Sequence, residues 1–163
     1  MPKRSAGLLL YRVSDDGVSV LLVHPGGPFW ARKDLGAWTI PKGEYPATEE
    51  PLAAARREFE EETGARPAGD FRPLGEVTQP GRKVVCAWAV AGDFDPATLV
   101  SNTFELEWPP RSKRMARFPE IDRAQWFSLD EARQKILPGQ RGFIDRLKQL
   151  LASDEANGEA NGD

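Results

Sequence analysis

Residues 51–63, PLAAARREFEEET, place two demands on one short helix. At 100° per residue, Leu52, Ala55, Phe59 and Thr63 fall within about 80° of one another, a stripe that must be covered. Glu58, Glu61 and Glu62 fall on the other side within about 100°, spaced i, i+3, i+4. The wider stretch 43–65 holds seven glutamates in 23 residues. Like charges at that spacing repel by about 0.2–0.5 kcal/mol per pair, so a helix that only had to fold would avoid them. The stripe calls for a packed layer beside it, and the clustered carboxylates call for a cation. Hard oxygen ligands favour magnesium, manganese or calcium over zinc or copper. Arg57, four before Glu61, can hold that carboxylate, and Arg56 can do the same for Glu60, which points elsewhere.

The partner layer is β-rich. AGLLLYRV (6–13) and VSVLLVH (18–24) are β-type runs joined by SDDG, a hairpin signal. PGGPFWARKDLG (25–36) is a loop by its Gly and Pro content, and AWTIPKGE (37–44) starts as a strand that must end near Pro41. Pro51 suits the helix start and Gly64 the residue past its end. FRPLGEVTQ (71–79) and KVVCAWAVAGDF (83–94) read as strands joined by PGR. NTFELEW (102–108) alternates apolar with acidic residues, PPRSKRMARFPEIDR (109–123) reads as a basic loop, and AQWFSL (124–129) as a strand end. Two helical segments follow, broken at Pro138-Gly139, with Ser128 or Asp130 able to cap the first. These elements predict α/β layers around a mixed sheet in one domain over 1–151. The Gly- and Asn-rich stretch 152–163 is predicted to be a disordered polar tail.

The net charge of −3 argues against general nucleic-acid binding but not against a local basic patch. One cysteine, Cys86, rules out a disulfide within the chain and fits a cytoplasmic location. No run approaches the ~18 apolar residues of a membrane span. His24 is expected in a partly exposed structural role and Cys86 in the core.

Gly43, Glu49, Arg57-Glu58, Phe59, Glu61-Glu62, Gly64 and Ala65 resemble the Nudix box, G-x5-E-x7-R-E-U-x-E-E-x-G-U, at all seven fixed positions. Phe59 is bulkier and Ala65 smaller than usual at the two aliphatic positions. The flanks WTIPKGE and EIDRAQWFSLDEA are also similar, so the resemblance covers roughly residues 5–150. It implies an α/β/α sandwich with a mixed sheet and a hydrolase of nucleoside diphosphates linked to another group. Magnesium, with manganese as the alternative, is the implied cofactor. Glu58 and Glu62 are implied as the main metal ligands, with Glu61 close by and the backbone at Lys42-Gly43 as a further ligand. Arg57 would orient a glutamate and Glu49 would tie down the loop. The general base would be a glutamate of the box or Glu120, with Glu105 and Glu107 behind it.

The expected substrate is a nucleoside polyphosphate, either a dinucleoside polyphosphate or a nucleoside triphosphate. Lys42, Lys83 and Arg114 are its candidate binding residues. The basic set Arg111, Lys113, Arg114 and Arg117 is either a solvated loop or an attractor for polyphosphate. A small molecule is expected as partner, with neither nucleic acid nor membrane. The alternatives are a nucleotide-sugar or coenzyme pyrophosphatase, and a catalytically silent nucleotide sensor.

Overall fold

The computed structural model describes residues 3–160, with side chains through 157. Five strands lie in the order β4 (Arg72–Gln79), β5 (Lys83–Ala91), β1 (Lys3–Ser14), β2 (Gly17–Pro25) and β8 (Ile121–Ser128). A short β3 (Lys42–Glu44) pairs with β1 at Ser5–Gly7. β1 and β5 run parallel and the other pairs antiparallel, so the sheet is mixed.

The run AGLLLY is apolar at every position because β1 is central and covered on both faces. Ala6, Leu8 and Leu10 point to α1 (Pro51–Thr63) and its Phe59. Leu9 and Tyr11 point the other way, toward the cluster holding Phe143, Ile144 and Leu147. Those three belong to α3 (Arg141–Ala160), which follows α2 (Leu129–Lys135). The result is a helix–sheet–helix sandwich. No helix among the described residues is long and apolar enough to cross a membrane.

Helix α1 spans the predicted residues, and Gly64 ends it in the left-handed region at φ 84°. Ala54 is buried as well as the predicted stripe residues Ala55, Phe59 and Thr63, while Leu52 is half-buried. Ser128 caps α2 by accepting from the Glu131 N–H.

Three expectations change. The strand in AWTIPKGE lies after Pro41, not before it, because only Lys42–Glu44 face the free edge of β1. Trp38 and Thr39 make isolated bridges to Ile136 and Val23 instead. The stretch 109–123 is not a loop throughout. β7 (Met115–Pro119) pairs with β6 (Thr103–Glu107) in a separate two-stranded ribbon, and β8 already begins at Ile121. The density of cations hid the alternation of half-buried Ala116 and Phe118 with exposed neighbours. Finally, α3 runs on through residues 152–160, within the predicted tail, while 161–163 lie outside the described residues. Its continuation is stapled to the edge strand by Asp154, which pairs with both guanidinium Nη atoms of Arg72, and earlier in the helix Arg146 donates to the carbonyls of Leu74 and Glu76 at 2.9 and 2.8 Å.

Phe59 is fully buried between α1 and the sheet. Phe59→Ala is expected to cost about 3–5 kcal/mol, measured by denaturant unfolding. An unchanged midpoint would show that α1 is not held by this side chain.

Candidate active site

The loop into α1 prepares the helix for its carboxylates. Glu50 accepts from the N–H groups of Leu52 and Ala53 at 3.1 and 2.9 Å, satisfying two donors that a helix start leaves free. Glu49 is gripped by Arg57 through two bonds of 2.8 Å, one from Nε and one from Nη2. The remaining nitrogen, Nη1, reaches Glu58 at 2.8 Å and Glu61 at 3.2 Å. One guanidinium therefore joins the loop after β3 to two carboxylates on the helix. Glu49 has its pKa lowered by this contact.

Glu58 lies against β3. A Cβ added to Gly43 would sit 2.0 Å from the Glu58 carboxyl carbon, so the carboxylate occupies the space a side chain would need. Glycine is required here by a close approach rather than by its dihedral freedom. One residue earlier, the Lys42 N–H donates to Glu62 at 3.2 Å. Burial pushes the Glu62 carboxyl up to about 8, against the opposing pull of Lys42 and with further repulsion from Glu58 and Glu120. Glu58 is also raised by burial, against the pull of Arg57. Two neighbouring carboxyls drawn out of water would be ionised more readily beside a positive charge.

Among the described residues, no three Asp, Glu, His or Cys side chains form a ready-made metal cage. The three helix carboxylates do not converge on one point: Glu61 turns to Arg57, and Glu62 turns inward to the β3 backbone. Glu60 faces away and pairs with Arg66 at 2.6 Å. Arg56 stacks on Phe71 and not, as the sequence suggested, on Glu60.

Glu120 joins this group. It follows β7, lies exposed, and repels both Glu58 and Glu62. Its backbone is fixed on both sides: its N–H donates to the Asn102 carbonyl at 2.8 Å, and its carbonyl accepts from Gly26 at 2.8 Å. Lys83 stands at the same end of the sheet as Gly43. β1 and β5 both start there, with Lys3 opposite Lys83 and Ala6 opposite Gly43. Arg114 is not at this site. It sits at the turn of the β6–β7 ribbon, five residues before Pro119, roughly 15 Å along the strand from the ribbon's base.

Sequence reasoning missed the supports of the site. Gln140 is fully buried, accepts from the Ile40 N–H at 3.1 Å, and donates to Thr39 Oγ1 at 3.0 Å. It thus fixes the segment that leads into Lys42-Gly43. His24 is also fully buried, with Nδ1 2.8 Å from Asp122 and Nε2 2.7 Å from the Lys33 carbonyl, and so pins the loop after β2. These partners lie 101, 98 and 9 residues away in sequence, and only the fold brings them together.

Comparison with known proteins agrees with this geometry. The NUDIX domain family matches residues 1–147. An RNA pyrophosphohydrolase of Rhodospirillum rubrum is 40% identical over 158 residues, covering 93% of each chain. One from Caulobacter vibrioides is 27% identical over 153 residues, covering 80% of this chain and 81% of its own. Among solved structures, a binary complex of the Caenorhabditis elegans Ap4A hydrolase shares the fold, with a TM-score of 0.64, 20% identity, and coverage of 91% of this chain and 98% of its own. The carboxylate helix, the glycine beneath Glu58 and the sandwich around them are therefore those of a Nudix protein: the chain belongs to the Nudix family and is an enzyme, a pyrophosphohydrolase of nucleotides.

Proposed function

We propose that the protein is a magnesium-dependent hydrolase of phosphoanhydride bonds in nucleotides carrying three or more phosphates in a row, and that the 5′-triphosphate end of an RNA is among its substrates. The observation that carries this reading is the pair Glu58–Glu62 beside the backbone of Lys42-Gly43. Both carboxyls are partly withdrawn from water, and both have a raised proton affinity. Such a donor set suits a hard divalent ion, which supplies charge neutralisation on the phosphates and a more acidic water.

The chain's own groups do the rest. Glu58 and Glu62 would hold the ion, with Gly43 leaving the space that Glu58 fills. Arg57 orients Glu58 and Glu61. The Glu120 carboxylate, exposed and near enough to repel this pair, is the group to which this reading gives the proton of the attacking water. Lys42, whose charge acts on Glu62, is the proposed contact to the anionic chain, whereas Lys83 shares a sheet face with Val85 and Ala87, on the side of α3. The names of the 40% and 27% identical relatives support an RNA end as substrate. Dinucleoside polyphosphates share the same chemistry of several consecutive phosphates. A cytoplasmic location belongs to this reading.

The ligand assignment is tested by charge-removing variants. Glu62→Gln should lower turnover on the order of 10³-fold and raise the magnesium concentration needed. Glu60→Gln should leave both nearly unchanged, since Glu60 is held away by Arg66. Equal losses in the two would reduce the effect to net charge.

Burial of Glu62 also sets a pH dependence. A carboxyl with a raised folded pKa favours the folded state at low pH, and that contribution disappears as pH rises from the ordinary value of 4.5 through about 8. The metal-free protein should therefore lose stability, on the order of a few kcal/mol, between about pH 5 and pH 8. Glu49, Asp34 and Asp154 have lowered pKa values and act in the opposite sense, but below this window. Magnesium should remove the loss, and Glu62→Gln should flatten it without metal. A melting temperature that rises from pH 5 to pH 8 in the absence of metal would contradict the burial of Glu62.

Substrate length is tested by kcat/KM for a 5′-triphosphorylated oligoribonucleotide and for diadenosine tetraphosphate, each against ADP-ribose. One added charge-assisted phosphate contact is worth roughly 1.5–3 kcal/mol, which predicts a ratio of about ten to a hundred. Ratios at or below one for both would defeat the proposal.

A further inference from the structure

We propose that the β6–β7 ribbon and the loop of residues 26–36 form a binding surface for the single-stranded polynucleotide that continues from the 5′-triphosphate at the metal site. This rests on the reading above and names what that reading leaves without a partner.

The ribbon springs from the active site itself. At its first strand, the Asn102 N–H donates to the carbonyl of Glu61 at 3.0 Å. At its second, Pro119 precedes Glu120, whose carbonyl accepts from Gly26. A Cβ on Gly26 would lie 1.9 Å from the Pro119 carbonyl oxygen, so the loop and the ribbon base meet backbone to backbone. Phe104 packs over Gly27 in the same seam. A chain leaving the metal site on this side would run along the ribbon.

The ribbon carries what a single strand needs. Phe29 remains 61% exposed although its ring meets Trp108 edge-to-face at 5.5 Å. Arg111, Lys113 and Arg114 crowd the turn, exposed, and none has an ion-pair partner among the described residues. Arg32 and Lys33 add two more exposed cations on the loop, with Lys33 over the Trp30 ring. The acids of the ribbon are already engaged: Glu105 with Arg117 at 3.2 Å, and Glu107 with the Arg111 N–H. Arg111 and Lys113 hold φ values of 63° and 61°, in the left-handed region that glycine or asparagine adopts more easily. Retaining long cations there costs about 1 kcal/mol or more each, which points to a use for the side chains.

The distance excludes the triphosphate as that use. Roughly 15 Å separates the ribbon base from Arg114, beyond the ~8 Å over which exposed charges interact at physiological salt. At about 3.4 Å or more per nucleotide, three to five nucleotides of a strand span it. Aromatic faces beside cations suit bases and phosphates without regard to sequence.

The test has two arms. The first is binding of a fluorescent 5′-hydroxyl octaribonucleotide by anisotropy, which involves no turnover. The wild type should bind at low salt. Phe29→Ala and Arg111→Ala/Lys113→Ala should each weaken binding at least threefold, and the double variant should reduce the slope of log affinity against log salt by up to about 1.4. The second is kcat/KM for a 5′-triphosphorylated octamer relative to ATP. This ratio should exceed ten in the wild type and fall in both variants. An octamer that does not bind, or that binds all three proteins alike, overturns the surface. So does preferential binding of anionic phosphatidylserine vesicles, which would make the exposed Phe29, Leu35 and Met115 a lipid contact. Binding that behaves as described in a protein that hydrolyses no triphosphate would leave the surface standing and overturn the substrate reading instead.

Discussion

The site depends on the close approach of the Glu58 carboxylate to the backbone of Gly43. Two independent pieces of structure must be positioned to within a fraction of an ångström for it to exist. One is β3, held by three residues of antiparallel pairing to β1 and preceded by a segment anchored on the buried Gln140. The other is α1, seated by Phe59 and capped at its start by Glu50. Arg57 joins the two, because the Glu49 it grips belongs to the loop that leaves β3. A fault in either piece would move a carboxylate before it altered the fold. Stability and function are therefore linked through one helix, with its apolar stripe giving the seat and its acidic face the chemistry.

What the sequence made legible was local. A 13-residue helix with period 3.6, a proline at its start and a glycine at its end is fixed by neighbours three and four residues apart, and its limits were read correctly. The long β runs were found for the same reason, as was the identity of the box. Long-range pairing was not legible. β3 is a strand only because β1 offers a free edge at Ser5–Gly7. β7 is a strand only because β6 lies opposite, with Arg117 facing Glu105. The helical residues 152–160 looked polar and unsupported, yet Asp154 finds Arg72, 82 residues away. Of the candidate site residues, Arg57, Glu58, Glu61 and Glu62 lie together in the fold and Arg114 does not, and their geometry was not legible. The wheel sent three glutamates to one spot, while the fold sends Glu61 to Arg57 and Glu62 into the protein.

The electrostatics follow a similar division. A net charge of −3 averages two regions of opposite sign, and the average describes neither. Near Gly43 burial raises the proton affinity of Glu58 and Glu62, and repulsion among neighbouring carboxylates adds to it. On the ribbon the balance reverses, since its glutamates are engaged and the cations at its turn are not. An anionic substrate approaching this protein meets opposing fields: repulsion at the carboxylates until a metal is bound, and attraction at the ribbon throughout.

That ordering has a consequence for how a long anion would engage. Without metal, the carboxylate cluster repels a terminal triphosphate while the ribbon still attracts the phosphates behind it. With metal, that repulsion would be offset, and the terminal phosphates could approach the cluster while the ribbon draws the phosphates behind them. Because the ribbon base is bonded to Glu61 and contains the link to Glu120, the element that would hold the strand is built on the backbone that positions the candidate base. A mononucleotide can use only the first of these attractions. Discrimination between short and long substrates can then arise without any contact to a particular base, from charge spacing along one ribbon.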